Sequence, residues 1–182
     1  DVSVIGAKLT SGGNLVFDGV GRIDLGADLE ATGSGSAVDV VGSVVRLTSD
    51  VSITTNDGNI SLDEVITGTA DDHVLTLVAG VGNVVIDDNV GSDTVELAGL
   101  VVTSATDVSF SGVAATVDVD ALEVTSAAGD VQFDGVVAVD GNVDLNALTV
   151  TVSSGATVTA SGAISIYAND VDFLAVLEVL GH

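Results

Sequence analysis

Apolar and polar residues alternate with a period of two along much of the chain. In Val117-Asp118-Val119-Asp120 the valines can face one side and the aspartates the other. This alternation is typical of a half-buried β-strand. Gly, Asn, Asp and Ser interrupt it every few residues, as tight turns require, and no long stretch has apolar residues at helical spacing. The pattern therefore predicts an all-β chain of short strands.

One short phrase recurs along the chain: Gly, then Asn or Asp, then an apolar, a variable and an apolar residue. It is clearest in GNLVFDGV from Gly13 and GDVQFDGV from Gly129. Further copies, some of which match the phrase less closely, begin at Gly21, Gly58, Gly82, Thr106, Gly141 and Gly162. The copies that start at 58, 82, 106 and 129 are 24, 24 and 23 residues apart. Steps of this length are typical of solenoid repeats.

A unit of about 23 residues holds two or three short strands and cannot bury its apolar face alone, whereas stacked units can. The repeat thus predicts a parallel β-helix, right- or left-handed, of roughly seven or eight coils. We expect one domain over residues 1–182, irregular over 1–50 and most regular over 58–145. The alternative is an antiparallel β-sandwich, which does not require the same corner at a constant step.

The phrase also predicts details of each coil. Gly and Asn are expected at the corner because they tolerate left-handed backbone angles. Asn side chains of successive coils are expected to form a hydrogen-bonded ladder. The apolar residues after the corner should stack in internal columns: Leu15 and Phe17, Ile60 and Leu62, Val84 and Ile86, Val108 and Phe110, and Val131 and Phe133.

The last segment, residues 171–182, is more apolar than the body of the chain. We interpret it as a cap for the core or as a docking surface for a second subunit or for the next part of a longer chain. Its apolar residues are Phe173, Leu174, Val176, Leu177, Val179 and Leu180. The chain starts in mid-pattern at Asp1 and has no Met, so we expect a segment of a longer protein or a processed subunit.

The charge of the chain excludes several classes of partner. It has 27 acidic and 3 basic residues, a formal net charge of −24. A surface of this sign repels nucleic acid and disfavours cleavage of acidic polysaccharides, and it favours cations.

No apolar run reaches the roughly 18 residues of a membrane span, and without Cys there are no disulfides or thiolate metal sites. We predict no nucleic-acid partner, no membrane span and no enzyme activity.

Acidic turns are the only candidate sites. GTADDHVLTL and DDNVGSD are distantly similar to calcium-binding nonapeptide repeats, without their strict glycine series. The calcium candidates are Asp71, Asp72, Asp87, Asp88 and Asp93, and the alternative is that they are solvated turn residues. No cofactor is required. His73 is predicted to be a turn residue oriented by Asp71 or Asp72, and no catalytic residue is predicted.

The pattern LTSGGNLVF, its variant VTSAAGDVQF, and the stretch GTADDHVLTLVAGVGNVVI resemble the filamentous-haemagglutinin-like and autotransporter-passenger-like β-helix repeats of bacterial exoproteins. The resemblance implies secretion to the bacterial cell surface and a structural role as an adhesin stalk, surface-layer component or filament subunit. Its implied partners are further copies, neighbouring segments of a longer chain, and surface glycans. The alternative function is a carbohydrate-binding or carbohydrate-cleaving β-helix, which a groove of stacked aromatic residues would support.

Overall fold

The chain is a parallel β-solenoid of about seven turns. The computed structural model describes residues 1–18, 21–41, 44–63, 66–70, 72–91, 95–112, 116–125 and 127–180. Strands and isolated bridges account for 65% of the described residues, and no helix occurs among them, so none of these residues belongs to a helix able to cross a membrane. Every strand pair in this part of the chain is parallel. The predicted fold is confirmed, and the antiparallel alternative is wrong.

The described residues form 22 strands, short except for two that run through a corner. In chain order they are β1 (Val2–Ile5), β2 (Leu9–Ser11), β3 (Leu15–Asp18), β4 (Arg22–Gly26), β5 (Leu29–Val41), β6 (Val44–Leu47), β7 (Val51–Leu62), β8 (Ile66–Gly68), β9 (Val74–Val78), β10 (Val84–Ile86), β11 (Gly99–Ser104), β12 (Val108–Phe110), β13 (Thr116–Val119), β14 (Leu122–Val124), β15 (Asp130–Phe133), β16 (Val136–Val139), β17 (Val143–Asn146), β18 (Thr149–Val152), β19 (Thr157–Ala160), β20 (Ile164–Tyr167), β21 (Asp170–Phe173) and β22 (Val176–Val179).

The chain visits three faces in turn, so that most coils contribute one strand to each. Face A contains β1, β4, β6, β8, β13, β16, β19 and β22. Between β8 and β13 it continues through isolated bridges: Val90 bridges Ile66 and Val117, and Leu97 bridges Val119. Face B contains β2, the first parts of β5 and β7, β9, β11, β14, β17 and β20. Face C contains β3, the second parts of β5 and β7, β10, β12, β15, β18 and β21.

Face C carries the predicted apolar columns, and the register confirms them. One column consists of Leu15, Val38, Ile60, Val84, Val108, Val131, Val150 and Val171. The other consists of Phe17, Val40, Leu62, Ile86, Phe110, Phe133, Val152 and Phe173. Within the second column the rings of Phe110 and Phe133 stack with their centroids 4.9 Å apart. Burial of these columns removes apolar surface from water and stabilises the stack.

A column of small side chains turns the corner between face B and face C. Its buried members are Ala31, Thr55, Ala79, Ala105, Ala127 and Ala147. A larger side chain would not fit where two sheets meet at a sharp angle and the interior is close-packed. Thr55 is the only buried polar residue of the described chain, and its hydroxyl donates a hydrogen bond to the Gly58 carbonyl.

The corner glycines have a different role from the predicted one. Gly58 and Gly82 do not have positive φ angles, so the expectation of a left-handed backbone there is wrong. A Cβ on Gly58 would lie 2.1 Å from the Ser36 carbonyl oxygen, and one on Gly82 would lie 2.1 Å from the Gly58 oxygen. These glycines are needed because the backbone of the preceding coil passes too close for a side chain.

The side-chain ladder at this corner forms with backbone donors. Asn59 Oδ1 accepts the Asn83 N–H at 2.9 Å, and Asn83 Oδ1 accepts the Asp107 N–H at 3.3 Å. Asp107 Oδ1 in turn accepts the Asp130 N–H at 3.0 Å. Each Asn or Asp side chain therefore bonds to the backbone of the following coil, not to the next side chain. This satisfies N–H groups at a corner where the regular ladder is interrupted.

Not every copy of the phrase marks the same corner. The copy at Gly141 leads into β17 on face B, and the copy at Gly21 leads into β4 on face A. All three faces need a tight corner followed by alternating apolar residues, so the same short phrase serves each of them.

Candidate functional site

The predicted calcium residues do not form one cluster in the described chain. Asp71 and Asp93 lie outside the described residues. Asp72 lies on the turn between β8 and β9, where its carboxylate contacts the His73 ring at 3.1 Å. Asp87 accepts a hydrogen bond from the Ser111 hydroxyl, and Asp88 accepts one from the Asn89 N–H. Calcium binding by these residues stays a prediction.

One group of three carboxylates comes together elsewhere. Glu96, Asp120 and Asp140 have oxygens within 4.8 Å of one another, and it is the one such acidic group among the described residues. Asp120 and Asp140 follow directly after the registered residues Val119 and Val139 at the end of face A. Carboxylate oxygens are ligands that Ca²⁺ accepts, but calcium takes six to eight oxygens. These three residues supply only part of such a set.

The sequence contains a signal for part of this group. Asp120 and Asp140 close the similar segments TVDVD and VVAVD, which lie one coil apart. Alignment of these two segments would have placed both aspartates at one corner. Glu96 does not lie in a repeated segment of this kind. The next residue, Leu97, joins face A only through an isolated bridge to Val119.

His73 lies in a hydroxyl–imidazole–carboxylate arrangement. Thr69 Oγ1 is 3.0 Å from His73 Nε2, and Asp72 Oδ1 is 3.1 Å from His73 Nδ1. The order of groups is that of a nucleophile, a base and an orienting acid. However, the Asp72 side chain is 77% exposed, so water screens its interaction with the ring. Both ring nitrogens have partners within one turn, as expected of a turn histidine, and we assign no catalytic role.

The aromatic residues are placed inside the rod and not along an outer groove. Four of the five belong to the same internal column of face C: Phe17, Phe110, Phe133 and Phe173. Only Tyr167 projects from an outer surface, with 70% of it exposed. It lines a shallow cleft of about 220 Å³ on face B together with Glu123, Asp144 and Asn146.

The basic residues are engaged in ion pairs near the start of the rod. Asp24 Oδ1 is 2.8 Å from Arg46 Nε and 3.1 Å from Arg22 Nε. The hydrogen bond from Arg46 is the main reason that the pKa of Asp24 lies below its ordinary value of 3.8. Arg22 lowers the pKa further, and partial burial opposes both effects. Lys8 pairs with Glu30 at 2.7 Å.

Comparison with known proteins gives no match. No protein-family model, no curated protein and no solved structure corresponds to this chain. The solenoid of about seven turns is consistent with a β-helix repeat protein, and no match assigns it to a particular type.

Proposed function

We propose that the chain is a structural rod of the bacterial cell surface or extracellular space, as an adhesin stalk, surface-layer component or filament subunit. Its mechanical stiffness comes from three continuous parallel sheets around a core of stacked apolar columns. One observation carries the proposal: side chains of the internal apolar columns are exposed at one end of the stack, where a further coil would cover them.

Seven of the twelve large apolar side chains exposed in the described chain lie between residues 167 and 180. Phe173 is 38% exposed and Val179 is 52% exposed, although both lie in columns that are buried in the preceding coil. The strands β20, β21 and β22 have a partner on one side only. Unpaired edges of this kind favour addition of another strand.

The two ends of the stack are complementary in their core residues. Phe173 lies in the same column as Phe17 at the opposite end, and Val171 lies in the same column as Leu15. A second copy stacked head to tail in the same register would place Phe17 against Phe173. Such a heterologous contact does not close on itself and produces filaments.

The placement of the aromatic residues supports a structural role over a carbohydrate-binding or carbohydrate-cleaving one. A sugar-binding groove would require several rings on an outer face, whereas this chain has Tyr167 alone on face B. Surface glycans as partners, and secretion to the cell surface, rest on the resemblance to bacterial exoproteins.

Negative-stain electron microscopy of the purified 182-residue chain tests the proposal, first with calcium and then with chelator. We expect filaments in both conditions. The variant Phe173→Ser should shorten or abolish them, because it puts a polar group in the stacking column. Leu148→Ser is the matched control: Leu148 is 49% exposed on the side of the rod, and its loss should leave filament length unchanged.

Three other results would change the assignment. Filaments that form only with calcium would make the acidic turns part of the assembly site. Short single rods in both conditions would contradict self-assembly of this chain and would favour a segment whose neighbouring coils cover the apolar end. Filaments that persist in Phe173→Ser but are lost in Leu148→Ser would contradict end-to-end stacking and indicate lateral association.

A further inference from the structure

Charge is divided unequally along the rod. Residues 1–50 contain all three basic residues and seven of the 27 acidic ones, a formal charge of −4. Residues 51–182 contain the other 20 acidic residues and no Lys or Arg, a formal charge of −20 with His neutral. The first coils are therefore nearly balanced, and the later coils carry almost the whole net charge.

In the first coils, acidic residues stack on neutral or basic ones. Strands β1–β6 contain four acidic residues: Asp18, Asp24, Glu30 and Asp39. Asp24 is in register with Ser3 on one side and with Arg46 on the other. Asp39 is in register with Val16 and Ser61. Asp18 and Glu30 likewise have neutral partners in register, so no carboxylate of these strands faces another across neighbouring coils.

In the later coils, several carboxylates stack on one another. Four pairs occupy equivalent positions in neighbouring coils: Asp63 with Asp87, Asp107 with Asp130, Asp120 with Asp140, and Glu123 with Asp144. Neighbouring strands of a sheet are about 4.8 Å apart, and Glu96 adds a third carboxylate within 4.8 Å at the Asp120–Asp140 corner. Like charges directly opposite each other in a sheet are destabilising.

Unfolding separates these pairs, so their repulsion opposes folding of the coils that contain them. Dissolved ions weaken the repulsion, because the screening length falls from about 30 Å at 0.01 M salt to about 3 Å at 1 M. We propose that the later coils, with strands β8–β17, are ordered by cation screening, whereas the first coils, with strands β1–β6, depend much less on salt. The stack is thus a rod whose later part responds to the ionic strength of its surroundings.

Hydrogen–deuterium exchange of the 182-residue chain at 20 mM and 1 M NaCl tests this proposal. Backbone amides of β12–β17 should exchange about tenfold more slowly at high salt, as expected if a local opening equilibrium shifts by one pair's repulsion. Amides of β4–β6 should change much less. An equal change along the whole chain, or no change, would overturn the proposal.

Two variants of equal net charge separate local stacking from total charge. Asp144→Asn removes a charge stacked on Glu123, and Asp39→Asn removes one whose partners in register are neutral. At 20 mM NaCl, Asp144→Asn should slow exchange in β14 and β17 and reduce its salt dependence, while Asp39→Asn should do neither in its own strands. Equal effects of both variants would show that total charge, and not stacking, is responsible.

The same exchange measured in calcium distinguishes screening from a bound ion. NaCl and CaCl₂ solutions at equal ionic strength should protect β12–β17 to a similar extent. Protection by millimolar calcium in a background of 0.5 M NaCl would overturn the screening proposal, because it would require a specific divalent site.

Discussion

The identity of a single corner residue depends on what lies in the preceding coil. Gly82 and Gly13 begin the same sequence phrase, yet their surroundings differ. A Cβ on Gly82 would lie 2.1 Å from the Gly58 carbonyl oxygen, whereas a Cβ on Gly13 would have no atom within 4 Å. The close approach of the preceding coil thus requires glycine at position 82 but not at position 13.

We expect Gly82→Ala to lower the free energy of unfolding by about 1–3 kcal/mol, as overpacking of a close-packed interior does. Gly13→Ala should change it by less than about 0.5 kcal/mol, as surface substitutions generally do. Urea unfolding followed by circular dichroism measures both. Similar losses in the two variants would show that the backbone conformation of the phrase, and not the contact between coils, selects glycine.

A second residue-scale prediction concerns pH. The folded pKa of Asp24 lies below 3.8 because Arg46 and Arg22 hydrogen-bond to its ionised form. The stabilisation by these ion pairs is therefore present above about 3.8 and is lost as the pH falls through the lower folded value. The difference in urea midpoint between the native chain and Asp24→Asn should persist down to pH 4 and disappear in stronger acid. A difference that stays constant in stronger acid would contradict the assignment.

At the scale of strands, the internal Phe column sets local stability. Phe133 is fully buried and stacks on Phe110, whereas Phe173 in the same column is 38% exposed. We expect Phe133→Ala to cost about 3–5 kcal/mol, the range for large-to-small changes in a core. Phe173→Ala should cost less than half as much. Thermal or urea unfolding of both variants checks this, and equal costs would mean that the last coil is packed as tightly as the middle ones.

The repeat predicted face C correctly because its corner is marked by Gly and Asn at a nearly constant step. From Ile60 to Val84, Val108 and Val131 the registered residues are 24, 24 and 23 positions apart. The next step, from Val131 to Val150, is only 19. In the later coils the corner between face B and face C is shorter and has no Gly-Asn pair, so the phrase alone does not locate it. Faces A and B share its chemistry and could not be told apart from face C by sequence.

The meeting of three carboxylates at the end of face A was also difficult to predict from the sequence, because the coils differ in length. Glu96, Asp120 and Asp140 meet across coils that are unequal in length, since Val90 and Val117 are 27 residues apart and Val117 and Val137 only 20. Sequence spacing predicts such a meeting only when the register is already known. His73 was different, because its partners Thr69 and Asp72 lie within the same turn.

For the whole molecule, core packing and surface charge are distributed differently along the rod. The core is uniform along the rod, with Val, Leu, Ile and Phe in registered columns. The charge is not uniform, since the basic residues are confined to the first coils. Packing therefore holds all coils together by the same means, while electrostatics makes the later coils more sensitive to their surroundings.

Because the coils stack in register, the length of the rod is a multiple of the coil spacing. Each coil rests only on its neighbours, so the gain or loss of one complete period leaves every remaining contact type in place. Val84 lies between Ile60 and Val108 in the stack. Loss of residues 84–107 would bring Val108 directly into register with Ile60. The rod would become one strand spacing, about 4.8 Å, shorter. The length of the rod can therefore change by one coil at a time through duplication or deletion of the coding sequence for one repeat, and the core packing stays the same.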